Sequence, residues 1–417
     1  MADLFWPGDD RAGDLFSDTA LVAAMVDVEA AWLAALVSAG VAPITAAAAD
    51  LHSLVTPGTF DRLASDSETG GNPAMVLVSL LRDGLRDSAP DAATWLHRGL
   101  TSQDVVDSAL MICIHDAVVR LRESLRDQVG RLSRLVEEHR ATPMVARTLT
   151  QHAVPTTFGL KAAGWLTGVL DAYDDVTALV LPVQVGGAAG TMAGVVELAD
   201  ELPDPVGVAH QLSVELADRL GLSPSTPWHT SRASVTRVGD ATVRCTDAWS
   251  RIAGDVLVQS RPEIGELSEG AGGGSSTMPH KSNPVLATLV RRTALTAPQL
   301  AATLHLAAAE ATDERSPGPW HAEWATLRTL LRQAVIAGDQ VADLLDGLRV
   351  HADRMGRTLV EAHDDVRAEQ RSLADLTGRA PREDYLGATA AFIEATLARA
   401  VAVLADPAPT ARPEETS

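Results

Sequence analysis

From Leu21 to Leu36 the apolar positions fall on one broad helical stripe, and Asp18 and Thr19 just ahead of it are suited to cap the helix start. A polar, glycine-bearing stretch at 65–73, SDSETGGNP, reads as a loop, after which Ala74 to Leu85 is helical again. The next run is longer. Val118, Leu121, Leu125, Val129, Leu132 and Val136 recur every three or four positions inside a helix predicted from Val105 to His139. Further helices are predicted from Thr156 to Val180 behind Pro155, from Ser234 to Val258 behind the break at 223–233, from Asn283 to Leu306 with Pro284 in its first turn, and from Glu323 to Leu348. Helices of about 20 to 30 residues are about 30 to 45 Å long, lengths that belong to an elongated bundle.

Composition narrows this picture. The 417 residues exceed one ordinary core, and only 4% are aromatic, which favours helices over sandwiches of β-branched and aromatic strands. The fold class expected is all-α, in three helical domains: an N-terminal part at 1–100, a central long-helix bundle at 101–340 and a C-terminal part at 341–417 whose Pro-rich, charged tail 406–417 reads as disordered. With 34 Lys and Arg against 55 Asp and Glu, the net charge of −21 repels phosphate backbones and anionic lipid, so neither nucleic acid nor a membrane is an expected partner. An anionic small molecule remains compatible, because a few converging cations and helix N-termini make a local positive pocket. Cys113 and Cys245 show no paired spacing, the first residues show no secretory pattern, and no window looks apolar enough for a membrane span, so a reducing cytoplasm is expected. His97, His229, His280 and His321 lack the i, i+4 spacing and carboxylate partners of a metal site, and no metal is expected.

Chemistry concentrates in three segments. Gly270 to Pro284, GAGGGSSTMPHKSNP, is too rich in glycine and serine to hold a helix and reads as a mobile, lid-like loop within 268–284, with Lys281 and Asn283 at the lip of the next helix, placed to grip a carboxylate. His97 to Ala109, HRGLTSQDVVDSA, places Thr101 and Ser102 at a helix start. Thr101 reads as an N-cap, and Gln103 and Asp104 as its first turn. The third segment is Arg147 to Lys161, RTLTQHAVPTTFGLK.

GSSTMPHKSNP resembles the G-S-S-x-M-P-x-K-x-N signature of the fumarase/aspartase superfamily of elimination enzymes, and the other two segments resemble the remaining parts of that family's split site. The resemblance implies that Ser275, deprotonated, takes the proton next to a carboxylate. It implies that Lys281, Asn283 and the backbone of Met278 bind that carboxylate, and that Thr101 and Ser102 grip a carboxylate through hydroxyls and N–H groups. It also implies homotetramers in which three chains build each site, and no cofactor. In the third segment much of the superfamily has Thr-His, whereas this chain has Thr148 followed by Leu149. Leucine cannot donate the proton that a departing amine or hydroxide needs, a service worth about 10² to 10⁴ in rate. A carboxylate, with a pKa near ~4, leaves unaided.

That departure points to the 3-carboxy-cis,cis-muconate cycloisomerase branch, which VQVGGAAGTMA at 183–193, PWHTSR at 227–232, RPEIGEL at 261–267, LAATLHLAAAEATDER at 300–315 and WHAEW at 320–324 also resemble. The expected reaction is interconversion of 3-carboxy-cis,cis-muconate and 4-carboxymuconolactone. His152 is the remaining candidate for a catalytic polar group, Thr148 and Gln151 are expected to touch substrate, and Arg232 is expected as a second carboxylate clamp. Ser282 departs from the branch, which often has a basic or amide residue there. A nitrosuccinate lyase-like enzyme expelling nitrite, an adenylosuccinate lyase-like enzyme, disfavoured by the absent histidine, and an inactive structural relative are the alternatives.

Overall fold

The computed structural model describes residues 3–47, 50–270, 273, 274, 278 and 281–406. Four helices precede the bundle: α1 Asp18–Ser38, α2 Pro57–Gly70, α3 Pro73–Leu85 and α4 Pro90–Trp95. Ser17 caps α1, its hydroxyl accepting from the Ala20 N–H at 3.0 Å, where Asp18 and Thr19 were the expected caps. The loop expected at 65–73 shrinks to Gly71 and Asn72. Gly71 (φ 69°) closes α2 in the left-handed region, and the Asn72 side chain accepts from the Ala74 N–H at 3.1 Å to open α3. The polar residues 65–70 continue the helix on a largely exposed face, where polarity does not break it.

α5, Ser102–Glu138, runs 37 residues, about 55 Å at 1.5 Å each. A hairpin follows, β1 Pro143–Thr148 paired antiparallel with β2 Gln151–Thr157, an element the sequence pattern did not anticipate. The helix expected from Thr156 therefore begins at Phe158: α6 covers Phe158–Thr177, followed by α7 Ala193–Leu198, α8 Pro205–Leu220 and α9 Ala233–Gln259. A short strand β3, Leu267–Ser268, precedes α10 Val285–Ala309 and α11 Pro319–Gly347. β4, Arg349–Val350, pairs with β3 before α12 Ala352–Glu361, α13 His363–Val366, α14 Ala368–Thr377 and α15 Thr389–Ala405. The tail expected to be disordered lies outside the described residues from 407 onward.

α5, α6, α9, α10 and α11 pack on one another as the bundle, and one apolar core runs continuously from Phe16 to Val403, so the N-terminal helices share it. A buried polar clamp fixes the bundle's register. Trp249 Nε1 on α9 donates to Gln128 Oε1 on α5 at 2.7 Å, and Gln128 Nε2 donates to the Gly338 carbonyl on α11 at 3.0 Å. A Cβ at Gly338 would lie 2.9 Å from Ser124 Oγ, so any larger residue would have to push the Ser124 side chain aside. α1 departs from expectation in another way: by length and composition it could cross a membrane, with a mean hydropathy of 1.9 over its best window. It instead packs into the core, with Met25, Trp32 and Leu36 fully buried.

Candidate active site

The N-terminal end of α5 is built around two buried carboxylates. Thr101 is the N-cap and forms a reciprocal capping box with Asp104, whose carboxylate accepts from the Thr101 N–H at 2.9 Å. The same carboxylate accepts from the Gly186 and Gly187 N–H groups, both at 2.9 Å, and lies 3.0 Å from His229 Nε2. It thereby ties the 183–193 loop and the PWHTSR segment to the helix start. One turn on, Asp107 takes two hydrogen bonds from Arg232, at 2.7 and 3.0 Å, and one from Trp320 Nε1 at 2.9 Å. Glu323 holds the remaining edge of the same guanidinium at 2.5 to 3.1 Å.

This placement corrects the expectation for Arg232. Its side chain is 3% exposed and committed to Asp107 and Glu323, so a substrate carboxylate would have to displace one of them. Burial alone would weaken its hold on the proton, but the facing Asp107 and Glu323 carboxylates keep it above its ordinary range. Burial in turn pushes the Glu323 carboxyl up, against the pull of Arg232. The guanidinium that does reach the helix start from an exposed position is Arg315, which donates to Thr101 Oγ1 at 2.5 Å and sits 5.9 Å from the Trp320 ring centre. Sequence reading assigned Arg315 no role, because only the fold carries the loop before α11 back to Thr101.

At the opposite end of α5 stands the hairpin. Leu149 and Thr150 form its two-residue turn with both φ angles positive, 47° and 72°. Such turns favour Asn-Gly, and a leucine and a β-branched threonine there are strained by about 1 to 3 kcal/mol each. Leu149 is 96% exposed. Within the chain it does not pack. Thr148 and Gln151 flank the turn and are exposed, with Gln151 Nε2 donating to Thr150 Oγ1 at 3.2 Å. His152 faces a cavity of about 570 Å³ shared with Lys161, Gln259 and Arg354. The hairpin is anchored next to its turn by a paired contact from Arg147 to the buried Glu266, at 2.7 and 2.8 Å, and farther back by Val145 packing on Ala362 and Val366.

Ser275 lies outside the described residues. Around it, Gly273 and Asn283 exchange backbone hydrogen bonds at 2.8 and 2.9 Å, and the Lys281 N–H donates to the Met278 carbonyl at 3.0 Å. Lys281 and Met278 are exposed and Asn283 half-buried. Glu269 accepts from the Leu286 and Ala287 N–H groups at 3.1 and 2.8 Å, so the start of α10 is already occupied by the chain's own carboxylate. Those two N–H groups of the helix terminus are therefore not open to a further anion.

The family model described as Lyase matches residues 11–298. The chain belongs to the fumarase/aspartase superfamily of lyases. A nitrosuccinate lyase of Streptomyces davaonensis is 46% identical over 351 residues, 82% of this chain and 73% of that protein. A 3-carboxy-cis,cis-muconate cycloisomerase of Bradyrhizobium diazoefficiens is 39% identical over 387 residues, 91% of this chain and 82% of that protein. Among solved structures, the 3-carboxy-cis,cis-muconate lactonizing enzyme from Pseudomonas putida matches with a TM-score of 0.80 at 29% identity, covering 94% of this chain and 97% of that one. The protein is thus an enzyme of this superfamily with its all-α fold.

For such a lyase the arrangement within one chain is informative. Thr101 and Ser102 stand at one end of α5, while Thr148, Gln151 and His152 stand on the hairpin beyond its other end. The Arg147–Glu266 contact keeps the start of the Lys281 and Asn283 segment at the hairpin end. A single chain therefore does not bring its expected site residues together. About 55 Å of helix separates them.

Proposed function

We propose that this enzyme eliminates a good anionic leaving group from a small dicarboxylate, with loss of nitrite from nitrosuccinate as the reaction it suits best. Leu149 carries the reading: where relatives that expel amines or hydroxide place a histidine, this chain presents an apolar side chain on the hairpin turn. In the proposed step Ser275 takes the proton next to one carboxylate. Lys281, Asn283, Thr101 and Ser102 hold the resulting aci-carboxylate, fixed hydrogen-bond donors doing most of the stabilising. The electron pair then forms the carbon–carbon double bond as nitrite departs from the neighbouring carbon, leaving fumarate. Arg315 takes over the clamp role first expected of Arg232, since it is the exposed guanidinium at Thr101. Every step uses side chains and no cofactor. The 46% identity to a nitrosuccinate lyase supports this choice.

A second reading is favoured by the match to the lactonizing enzyme at TM-score 0.80: interconversion of 3-carboxy-cis,cis-muconate and its lactone, in which the leaving group is a carboxylate. Both readings use the same base and the same absence of a proton donor at Leu149. Because α5 separates the helix start from the hairpin and the Lys281 and Asn283 segment, more than one copy is needed; the catalytic unit proposed is the homotetramer that the family resemblance implies, with different copies contributing the helix start, the hairpin and the Ser275 loop. Ultraviolet assays with nitrosuccinate, 4-carboxymuconolactone, malate and adenylosuccinate test this. Turnover is expected with one of the first two, and efficient turnover of either of the last two overturns the leaving-group argument.

A further inference from the structure

α1, α5 and α6 open on caps of their own: Ser17, Thr101 with Asp104, and Thr157, each within three residues of the N–H group it serves. α10 does not. The residue ahead of it is Pro284, whose side chain cannot accept a hydrogen bond. The N–H groups of its first turn are met instead by Glu269, 17 residues before Leu286. One carboxylate oxygen accepts from Leu286 and the other from Ala287. Glu269 is buried and itself firmly mounted. Ser268 before it pairs with Arg349 across β3 and β4, and the Ser268 Oγ lies 2.9 Å from His351 Nε2. Gly270 after it is pressed on the end of α11, where a Cβ would come within 2.4 Å of the Gly347 carbonyl oxygen.

A second rung lies just beyond the carboxylate. The Gly273 N–H donates to the Asn283 carbonyl at 2.9 Å, and the Asn283 N–H to the Gly273 carbonyl at 2.8 Å. A Cβ at Gly273 would lie 2.3 Å from Val285 Cγ2, so a larger residue would have to push Val285 aside. The segment that carries Lys281 thus leaves and re-enters the fold through one neck, and Asn283 is part of that neck. A helix start in need of a cap alone would be served by Ser, Thr, Asp or Asn at its own N-cap position. What a carboxylate on a separately anchored segment adds is a fixed distance. It holds the backbone that enters α10 through Asn283 and Pro284 against β3 and the end of α11, and so reduces the freedom of the residues just ahead of the helix.

We propose that Glu269 is a positioning residue for Lys281 and Asn283, holding the neck of their segment so that both meet the same substrate carboxylate. The assignment of a dicarboxylate rests on the elimination reading above. Wild type, Glu269→Gln and Glu269→Ala are compared at 25 °C in four ways: helicity by circular dichroism, trypsin cleavage of the exposed Lys281–Ser282 bond followed by mass spectrometry, calorimetric titration with fumarate, and kinetics with nitrosuccinate. Both variants are expected to keep wild-type helicity. Glu269→Ala removes both acceptors and should raise the cleavage rate and the Kd for fumarate about 10- to 100-fold, the range for a lost hydrogen bond to a charged group, with kcat/KM falling in step. Glu269→Gln keeps one acceptor and should fall between Glu269→Ala and wild type in each measurement. A purely structural cap would lower the melting temperature of Glu269→Ala and leave cleavage and fumarate binding at wild-type values, and that result overturns the proposal. Fumarate binding weakened without faster cleavage overturns it too, because Glu269 would then act by another route than the neck, as does a wild type that binds no fumarate. Should Glu269→Ala fail to fold, wild-type cleavage and wild-type Kd in Glu269→Gln overturn it equally. Absence of nitrosuccinate turnover by wild type, with fumarate binding intact, counts instead against the elimination reading.

Discussion

At the N-terminal end of α5, Gln103, Asp104, Asp107, Arg232 and Glu323 are buried and paired with one another or with backbone donors. At the C-terminal end, Thr148, Leu149 and Gln151 stand in solvent on a strained two-residue turn. The first end is rigid because each charge is answered inside the chain, and removing any partner strands another. The second holds its side chains out with little around them, although exposing an apolar residue on a strained turn gains nothing for an isolated chain. The contrast teaches that one end is internally satisfied whereas the other is not, which is the asymmetry the proposed tetramer requires.

The sharpest way to break that comparison is to mix tetramers. Ser275→Ala should lower kcat by about 10² to 10⁴, the contribution of a general base, with helicity unchanged by circular dichroism. Combined after dissociation with an inactive Thr101→Val protein, it should regain part of the wild-type rate. No recovery in verified mixed tetramers would count against sites shared between copies.

Stability separates the ends next. Arg232→Met leaves Asp107 and Glu323 facing each other without a cation and should cost about 3 to 5 kcal/mol in denaturant unfolding. Gln151→Ala, on the exposed hairpin, should lie within about 0.5 kcal/mol of wild type. Comparable losses in the two would erase the distinction drawn here.

The hairpin turn gives a finer test. Replacing Leu149 and Thr150 by Asn and Gly suits the positive φ angles and should stabilise the protein by about 1 to 2 kcal/mol, while lowering turnover if the tip enters another copy's site. Unchanged turnover would leave the tip without a part in catalysis. Leu149→His alone should bring little benefit with the native substrate.

The smallest effect expected is one of pH. Burial raises the Glu323 carboxyl above its ordinary value, so the folded state holds a proton that the unfolded chain has released. Its contribution to stability is greatest at low pH and declines as pH rises from about 4.3 through the folded value. In Glu323→Gln the Arg232–Asp107 pair becomes one-to-one, and the melting temperature should lose that part of its decline. An identical pH profile in the variant would mean that the Glu323 carboxyl titrates alike in the folded and unfolded chains.

The helical bundle was legible because its signal is local. A three-to-four residue recurrence such as Val118 to Val136 specifies a helix whatever lies beside it, and the predicted starts of α5, α9 and α10 fall within three residues of those observed. The Thr101 cap and the loop signature before Asn283 were legible for the same reason, since their function resides in residues adjacent along the chain. The hairpin at 143–157 was not. Its turn uses leucine and threonine in place of the usual glycine or asparagine, so no local cue marked it, and its bend is held by Glu266 and Val366, more than a hundred residues away. The fates of Arg232 and Arg315 were equally hidden. Both are arginines near aromatic residues, and only the packing of α9 and α11 against α5 decided that one would be consumed by Asp107 and Glu323 while the other reached Thr101. Sequence alone determined which side chains this protein can offer to a carboxylate. Tertiary structure decided which are free to offer themselves, because a charge's availability depends on the partners that distant segments bring to it.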